Sequence, residues 1–187
     1  MNLHDIARKK RDNPKKILDE ILFRWSPRSM TGQRMAEDDL LSLFEAARWA
    51  PSAFNSQPWR FYYALRDSDR FHDLLGLLVE KNRQWCVNAA CLMIVVSKKT
   101  YDHNGRPMRS HAYDTGAAWM ALAIEGIRRG YVVHGMAGFD DEAATRYLAL
   151  TDEYQVNVMA AVGQPAPGVE AEAVSQRKEI DEIAISL

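Results

Sequence analysis

The chain has 187 residues, 47% of them hydrophobic, enough to bury the core of one compact domain rather than two. Its 24 basic and 25 acidic side chains nearly cancel, which argues against nucleic acid or an anionic membrane as a partner and favours a small, weakly charged ligand. The longest apolar runs, such as Ala89 to Val96, are too short to span a bilayer, and Met1 to Arg11 lacks the apolar segment of a signal peptide, so a cytoplasmic location is expected.

In chain order, Lys9 to Lys16 is polar and charged, and the region reads as a frayed start or as a first helix running on into Ile17 to Phe23, with a structural role. Ala36 to Ala50 carries apolar residues at helical spacing, with Glu37, Asp38 and Asp39 in the first turn, and Pro51 stops it. The turn-forming Asn55-Ser56-Gln57-Pro58 precedes an aromatic run, Phe61 to Leu65, which predicts a strand. Asp67 to Asn82 returns to helical spacing through Phe71, Leu74, Leu75 and Leu78. Leu92 to Ser97 is a continuous apolar run rich in β-branched residues, suited to a central strand covered on both faces, and Asn157 to Gly163 is similar though less hydrophobic.

Tyr113 to Arg129 is the longest helix candidate. Its many small residues suit close approach to another helix at a packed interface, and Gly130 supplies the stop. Tyr131 to Val133 predicts a short strand, His134 to Gly138 a loop, and Asp140 the N-cap of a further helix. The segment from Ala166 to Leu187 has little core of its own and needs somewhere else to dock. The sum is an α+β fold with helices around one sheet.

The segment Arg24-Trp25-Ser26-Pro27-Arg28 sets two guanidinium groups and a hydroxyl on a Pro-stiffened turn. It either holds a phosphate, whose oxygens an arginine fork pairs with bidentately, or is a solvated basic turn. Ala50 to Trp59 gathers small, amide and proline residues in a loop between helix and strand, where amides can meet the polar edge of a heterocycle or satisfy the loop's own backbone. Neither glycine-rich phosphate loop can be written onto the sequence. The five histidines have no metal-ligand spacing, and Ser52 and Ser56 have no nucleophile-elbow context. Cys86 and Cys91 fit neither a redox pair nor a zinc framework, and read as packed, reduced thiols. Trp119, Met120, Met136 and Met159 either line a flavin or substrate pocket or, the commoner role for such side chains at helical spacing, belong to the core; His134 and Trp119 stay as candidate pocket residues.

Taken together, Arg24 to Arg28 and the string Pro51-Ser52-Ala53-Phe54-Asn55-Ser56-Gln57-Pro58-Trp59 resemble the nitroreductase family of FMN-dependent oxidoreductases. The small-residue helix from Asp114, the stretch His134 to Asp140, and Gln176-Arg177-Lys178 agree in order, so the resemblance covers nearly the whole chain. It implies one domain over residues 1–187 with a mixed, mainly antiparallel sheet flanked by helices. It also implies a homodimer in which the extension from about residue 166 crosses onto the partner, with FMN sites at the interface.

Carried over residue by residue, Arg24 and Arg28 resemble the basic pair at the flavin phosphate and the ribityl or pyrimidine side, with Ser26 adding a hydroxyl and Trp25 counted in the same contact segment. Arg177 resembles a late phosphate-binding residue. Pro51, Ser52 and Asn55 resemble the loop that reaches the ring from the other subunit, and Asn82 an amide at the pyrimidine edge. Ala137 and Gly138 resemble the loop whose backbone amides lie against flavin N5 and O4, where Gly138 permits close approach.

The activity implied is a ping-pong transfer from NADH or NADPH, through flavin N5, to a nitroaromatic, quinone or similar small acceptor. The cofactor carries the chemistry and no side chain acts as an essential acid or base. An FMN carrier or sensor with little turnover, and a thiol reductase using Cys86 and Cys91, are the rival readings.

Overall fold

The computed structural model describes residues 3–12 and 15–187; Asn13 and Pro14, inside the Lys9 to Lys16 stretch, fall outside the described residues. Helices α1 (Leu3–Arg8) and α2 (Asp19–Phe23) are short and separate, so no continuous first helix runs into Phe23. Then follow α3 (Glu37–Arg48), β1 (Trp59–Leu65), α4 (Asp69–Gly76), α5 (Glu80–Cys86), β2 (Cys91–Lys98), α6 (His111–Arg128), β3 (Val132–Met136), α7 (Asp141–Tyr147) and β4 (Tyr154–Gly163).

The strands form one sheet in the order β1-β2-β4-β3, and every pairing within it is antiparallel. β2 is central and buried through Ser97, because its two sets of alternate side chains meet different layers. Leu92, Ile94 and Val96 join Phe71, Leu74 and Ala144 on one face, with α1, α4, α5 and α7. Cys91, Met93 and Val95 join Leu40, Leu43, Ala118 and Leu122 on the other, beneath α3 and α6. The expected α+β class with a mainly antiparallel sheet and helices on both faces is what the chain adopts.

Small residues on α6 set how closely it seats: a side chain at Gly126 would run into Val133 Cγ2, so this glycine lets the helix lie against β3. Asp140 caps α7 by accepting the Ala143 N–H at 2.8 Å, as expected.

Two expectations are corrected. The helical spacing from Asp67 to Asn82 does not make one helix. After Gly76 the main chain turns to pair Leu78 with Phe139, and Asp140 N–H donates to the Leu77 carbonyl at 2.9 Å. Tertiary pairing thereby overrides periodicity, and the interruption aims α5 at the end of β3. His134 to Met136 is strand rather than loop, because its partners on β4 supply a pairing that local β-propensity does not predict.

Candidate functional site

From Arg24 the chain is extended and its burial alternates. Trp25 and Pro27 are buried, while Arg24 and Ser26 are half-buried and Arg28 is exposed on the opposite side. Trp25 is therefore an anchor: its indole packs in the core and donates to the Leu3 carbonyl at 3.3 Å, which leaves its main chain as the part that can face a cofactor. Ser26 Oγ accepts from Arg24 Nη1 at 3.1 Å and donates to the Val133 carbonyl at 3.3 Å, tying the segment to β3. His134 Nδ1 meets the Pro27 carbonyl at 3.0 Å, so that nitrogen carries the proton, and the ring packs on Trp85 with centroids 4.7 Å apart. Burial holds this imidazole below its ordinary pKa, with the Pro27 carbonyl pulling the other way. His134 is a neutral clamp between two segments and does not line the cavity described below.

The backbone N–H groups of Arg28 and Ser29 donate to the Glu172 carboxylate at 2.9 and 2.8 Å. Burial alone would raise the Glu172 carboxyl, but these hydrogen bonds and the nearby Arg28 charge outweigh it and hold the group below the usual range. With this carboxylate spent on main chain, cations dominate the neighbourhood. Burial first, then the Arg177 charge, lowers Arg24; Arg11 is lowered by burial, Arg177 and Arg24. Among the described residues no ion pair involves Arg11, Arg24, Arg28 or Arg177, and Arg24 Nε is buried without a partner. A cluster of this kind is suited to an anion with several oxygens, because each guanidinium has donors to spare.

At the far end of β3 the site is made of main chain. The Gly138 carbonyl accepts from Asn82 Nδ2 at 3.0 Å and from Val79 N–H at 3.1 Å. A Cβ at 138 would lie 2.6 Å from Asn82 Nδ2 and 2.9 Å from Val79 Cγ2. Gly138 is thus needed for close packing inside the chain, and Asn82 spends one of its amide donors holding that turn. Ala137 is exposed beside it. β3 is an edge strand, and the Ser26 bond to the Val133 carbonyl marks its outward side. Antiparallel alternation then turns the N–H and C=O of Gly135 to the same open edge.

The loop after α3 stands apart. Phe54, Asn55 and Gln57 all adopt positive φ, at 53°, 53° and 46°. Their strain is held by Ser52 Oγ accepting from Gln57 N–H at 3.0 Å and by Asp114, buried at the start of α6, accepting from Ala53 N–H at 2.9 Å. Pro51 and Asn55 are exposed, and among the described residues no hydrogen bond or ring contact joins this loop to the arginine cluster or to Gly138.

Between α6 and the sheet lies a cavity of about 380 Å³, lined by Thr115, Trp119, Gly135, Ala137, Asn157 and neighbouring apolar groups. Thr115 Oγ1 and Trp119 Nε1 are buried without hydrogen-bond partners. Of the two readings left open for Trp119, core or pocket, the pocket is the one its position supports, and a Cβ at Gly135 would meet its ring at 3.0 Å. Asn157 closes the cavity by donating to Ser97 Oγ at 2.9 Å, which also bonds His111 Nδ1 at 2.8 Å. Among the described residues no charged side chain lines the cavity.

Cys86 and Cys91 are free and buried in different layers. Burial pushes the Cys86 thiol up to about 12 and Cys91 higher still, so neither forms a thiolate to attack a disulfide. That removes the physical basis of a thiol reductase. Among the described residues no cluster of His, Cys, Asp or Glu is arranged to hold a metal ion, and no helix is long and apolar enough to cross a membrane. Sequence reasoning missed Arg11, Glu172, Asp114 and Thr115. Asp114 alone carried a local signal, an acid in the first turn of a helix.

An edge strand with a cation cluster at one end and a glycine turn at the other is framed here by a fold shared with FMN-type oxidoreductases. The chain is 36% identical to an oxidoreductase containing FMN whose crystal structure matches with a TM-score of 0.88 over 94% of this chain and 93% of that one. The family model described as the nitroreductase family matches residues 21–89, which hold the Arg24–Arg28 and Pro51–Trp59 segments and Asn82. Over 148 residues the chain is 26% identical to a Streptomyces coelicolor protein provisionally named an NADH dehydrogenase/NAD(P)H nitroreductase, covering 68% of this chain and 72% of that protein. It is 38% identical over 74 residues to an uncharacterised 15.4 kDa protein of Mycolicibacterium smegmatis; that match covers 40% of this chain and about half, 48%, of that protein. The chain belongs to the nitroreductase family.

Proposed function

We propose that the protein is an FMN-dependent oxidoreductase that takes electrons from NADH or NADPH and passes them to nitroaromatics, quinones or similar small acceptors in alternation. The observation that carries this reading is the pairing, along one open strand edge, of Arg24 and Arg177, which form no ion pair among the described residues, with the Ala137–Gly138 turn. About 13 Å of extended strand separates Val133 from Ala137, long enough for a ligand with a phosphate at one end and a flat ring at the other. The unpartnered Arg24 Nε and the donor set around it fit FMN, whose isoalloxazine would supply hydride and electron transfer when bound.

In this reading Arg24, Arg177 and Ser26 hold the phosphate, and Arg28 sets positive charge where it favours negative charge on a bound ring. Ala137 and Gly138 present main chain to the ring, and His134, neutral, keeps the phosphate segment in register with β3. No titratable side chain lines the Thr115–Trp119 cavity, so the proton for a reduced acceptor comes from solvent.

The whole chain is read as one domain acting as a homodimer. Ile180, Ile183 and Ile185 lie 63, 69 and 80% exposed on the extension, and β1 is an open edge strand with Tyr62 and Tyr63 partly exposed. Val169 and Val174 are buried in this chain's own core and Glu172 and Ser175 bond to its Arg28, Ser29 and Arg11, so the part of the extension that would cross to the partner is the stretch beyond Arg177, and Pro51, Ser52 and Asn55 of one subunit would serve the site of the other.

The test is to purify the protein, release bound chromophore by heat and measure FMN per chain. About one FMN, followed by anaerobic bleaching with NADH or NADPH, is expected for this reading. Bound FMN without such bleaching would favour the carrier or sensor, and no uptake of added FMN would overturn both.

A further inference from the structure

We propose that Arg11 is a positioning residue for the phosphate end of the site, one planar fork that sets the separation of the Arg24 and Arg177 segments. The inference rests on the FMN reading above. Arg11 Nη1 donates to the carbonyls of Leu22 at 2.6 Å and Arg24 at 3.0 Å, and Nη2 donates to the Ser175 carbonyl at 2.7 Å. These partners lie 11, 13 and 164 residues away, so a single side chain joins two segments that share no strand or helix pairing. Lys10 reinforces the join from the same turn, its Nζ reaching the Glu172 carbonyl at 3.2 Å.

Geometry explains why an arginine is needed. The two terminal nitrogens of a guanidinium point in fixed, divergent directions and serve both segments at once, whereas a lysine offers one point of donation on a flexible stem. Arg177 follows Ser175 by two residues and folds its Nη1 towards the Gln176 carbonyl at 3.0 Å, so holding Ser175 also holds the base of Arg177. The three guanidiniums repel one another and have no carboxylate partner among the described residues. The fork thus keeps together charges that would otherwise separate, and a bound dianion relieves that repulsion.

The experiment compares FMN with riboflavin, which has the same ring and no phosphate, by quenching of flavin fluorescence in the parent, Arg11→Gln and Arg11→Lys. Both variants are expected to lose about tenfold or more in FMN affinity while riboflavin affinity stays within about twofold. Parallel weakening of both flavins would mean a general structural role, and full FMN affinity in Arg11→Lys would mean charge alone suffices; either overturns the proposal. Tryptic cleavage after Arg177 in the parent needs no variant: FMN and inorganic phosphate should slow it and riboflavin should not, and equal protection by riboflavin also overturns the proposal. If the parent takes up neither flavin, the FMN reading fails by itself, and protection by inorganic phosphate still decides whether the fork organises an anion site.

Discussion

The two ends of β3 are built on opposite principles. At Val133 the neighbouring groups are cationic side chains held near one another against their repulsion, with Arg24 half-buried and its Nε unpartnered. At Gly138 the contacting groups are uncharged: a main-chain carbonyl is pinned by Asn82 and Val79, and packing leaves no room for a Cβ. The first end stores unfavourable electrostatics that a ligand can relieve, and the second is already satisfied. Binding and stability should therefore separate between them, with substitutions at the cationic end costing affinity and those at the glycine end costing the fold.

The largest expected effect is at Arg24. Arg24→Gln should weaken FMN binding by about tenfold to a hundredfold, the size of a lost charge-assisted contact, and leave the thermal midpoint unchanged or higher because a buried, repelled cation is gone. A lower midpoint, measured without ligand, would break the contrast. Next is Gly138→Ala, which forces both Asn82 and Val79 to move and should cost about 1–3 kcal/mol of unfolding free energy in urea. If stability holds and only FMN affinity falls, the glycine serves the ligand rather than the packing.

The smallest effect sharpens the clamp that joins the two ends. The folded protein holds His134 below its ordinary pKa, whereas the unfolded chain titrates near about 6.5. As pH falls below that value the unfolded state takes up a proton that the folded state resists. Stability present at neutral pH is therefore lost progressively towards the lower folded pKa. His111 is shifted the same way, by burial and then Lys99, so both contribute to the slope. Urea midpoints at about pH 7.5 and 5.5 should differ less in His134→Asn than in the parent, by about 1 kcal/mol or less. Equal slopes would show that the imidazole is not shielded.

The same contrast explains what could be read from sequence. Arg24, Arg28 and Arg177 advertise themselves through side-chain type, β2 through its unbroken apolar run, and Asp140 as the cap that it proves to be. The glycine end is main-chain geometry: that Asn82 would hold the Gly138 carbonyl depends on a pairing of Leu78 with Phe139 across distant sequence. Periodicity favoured one helix there, and tertiary pairing divided it. Trp25 shows the converse: it lies inside the candidate segment, but period-two alternation turns its indole into the core. Arg11 and Glu172 have partners up to 164 and 144 residues away, a distance over which no local pattern speaks.

The two sealed cysteines give the fold a clock. Their thiols are buried in separate layers and raised far above neutral pH, so in the folded molecule they should react with neither maleimide nor peroxide at any appreciable rate. Labelling must wait for the layer above each thiol to open. Cys86 at the end of α5 and Cys91 at the start of β2 thereby report the opening of the two faces of the sheet independently, residue by residue, in the native molecule.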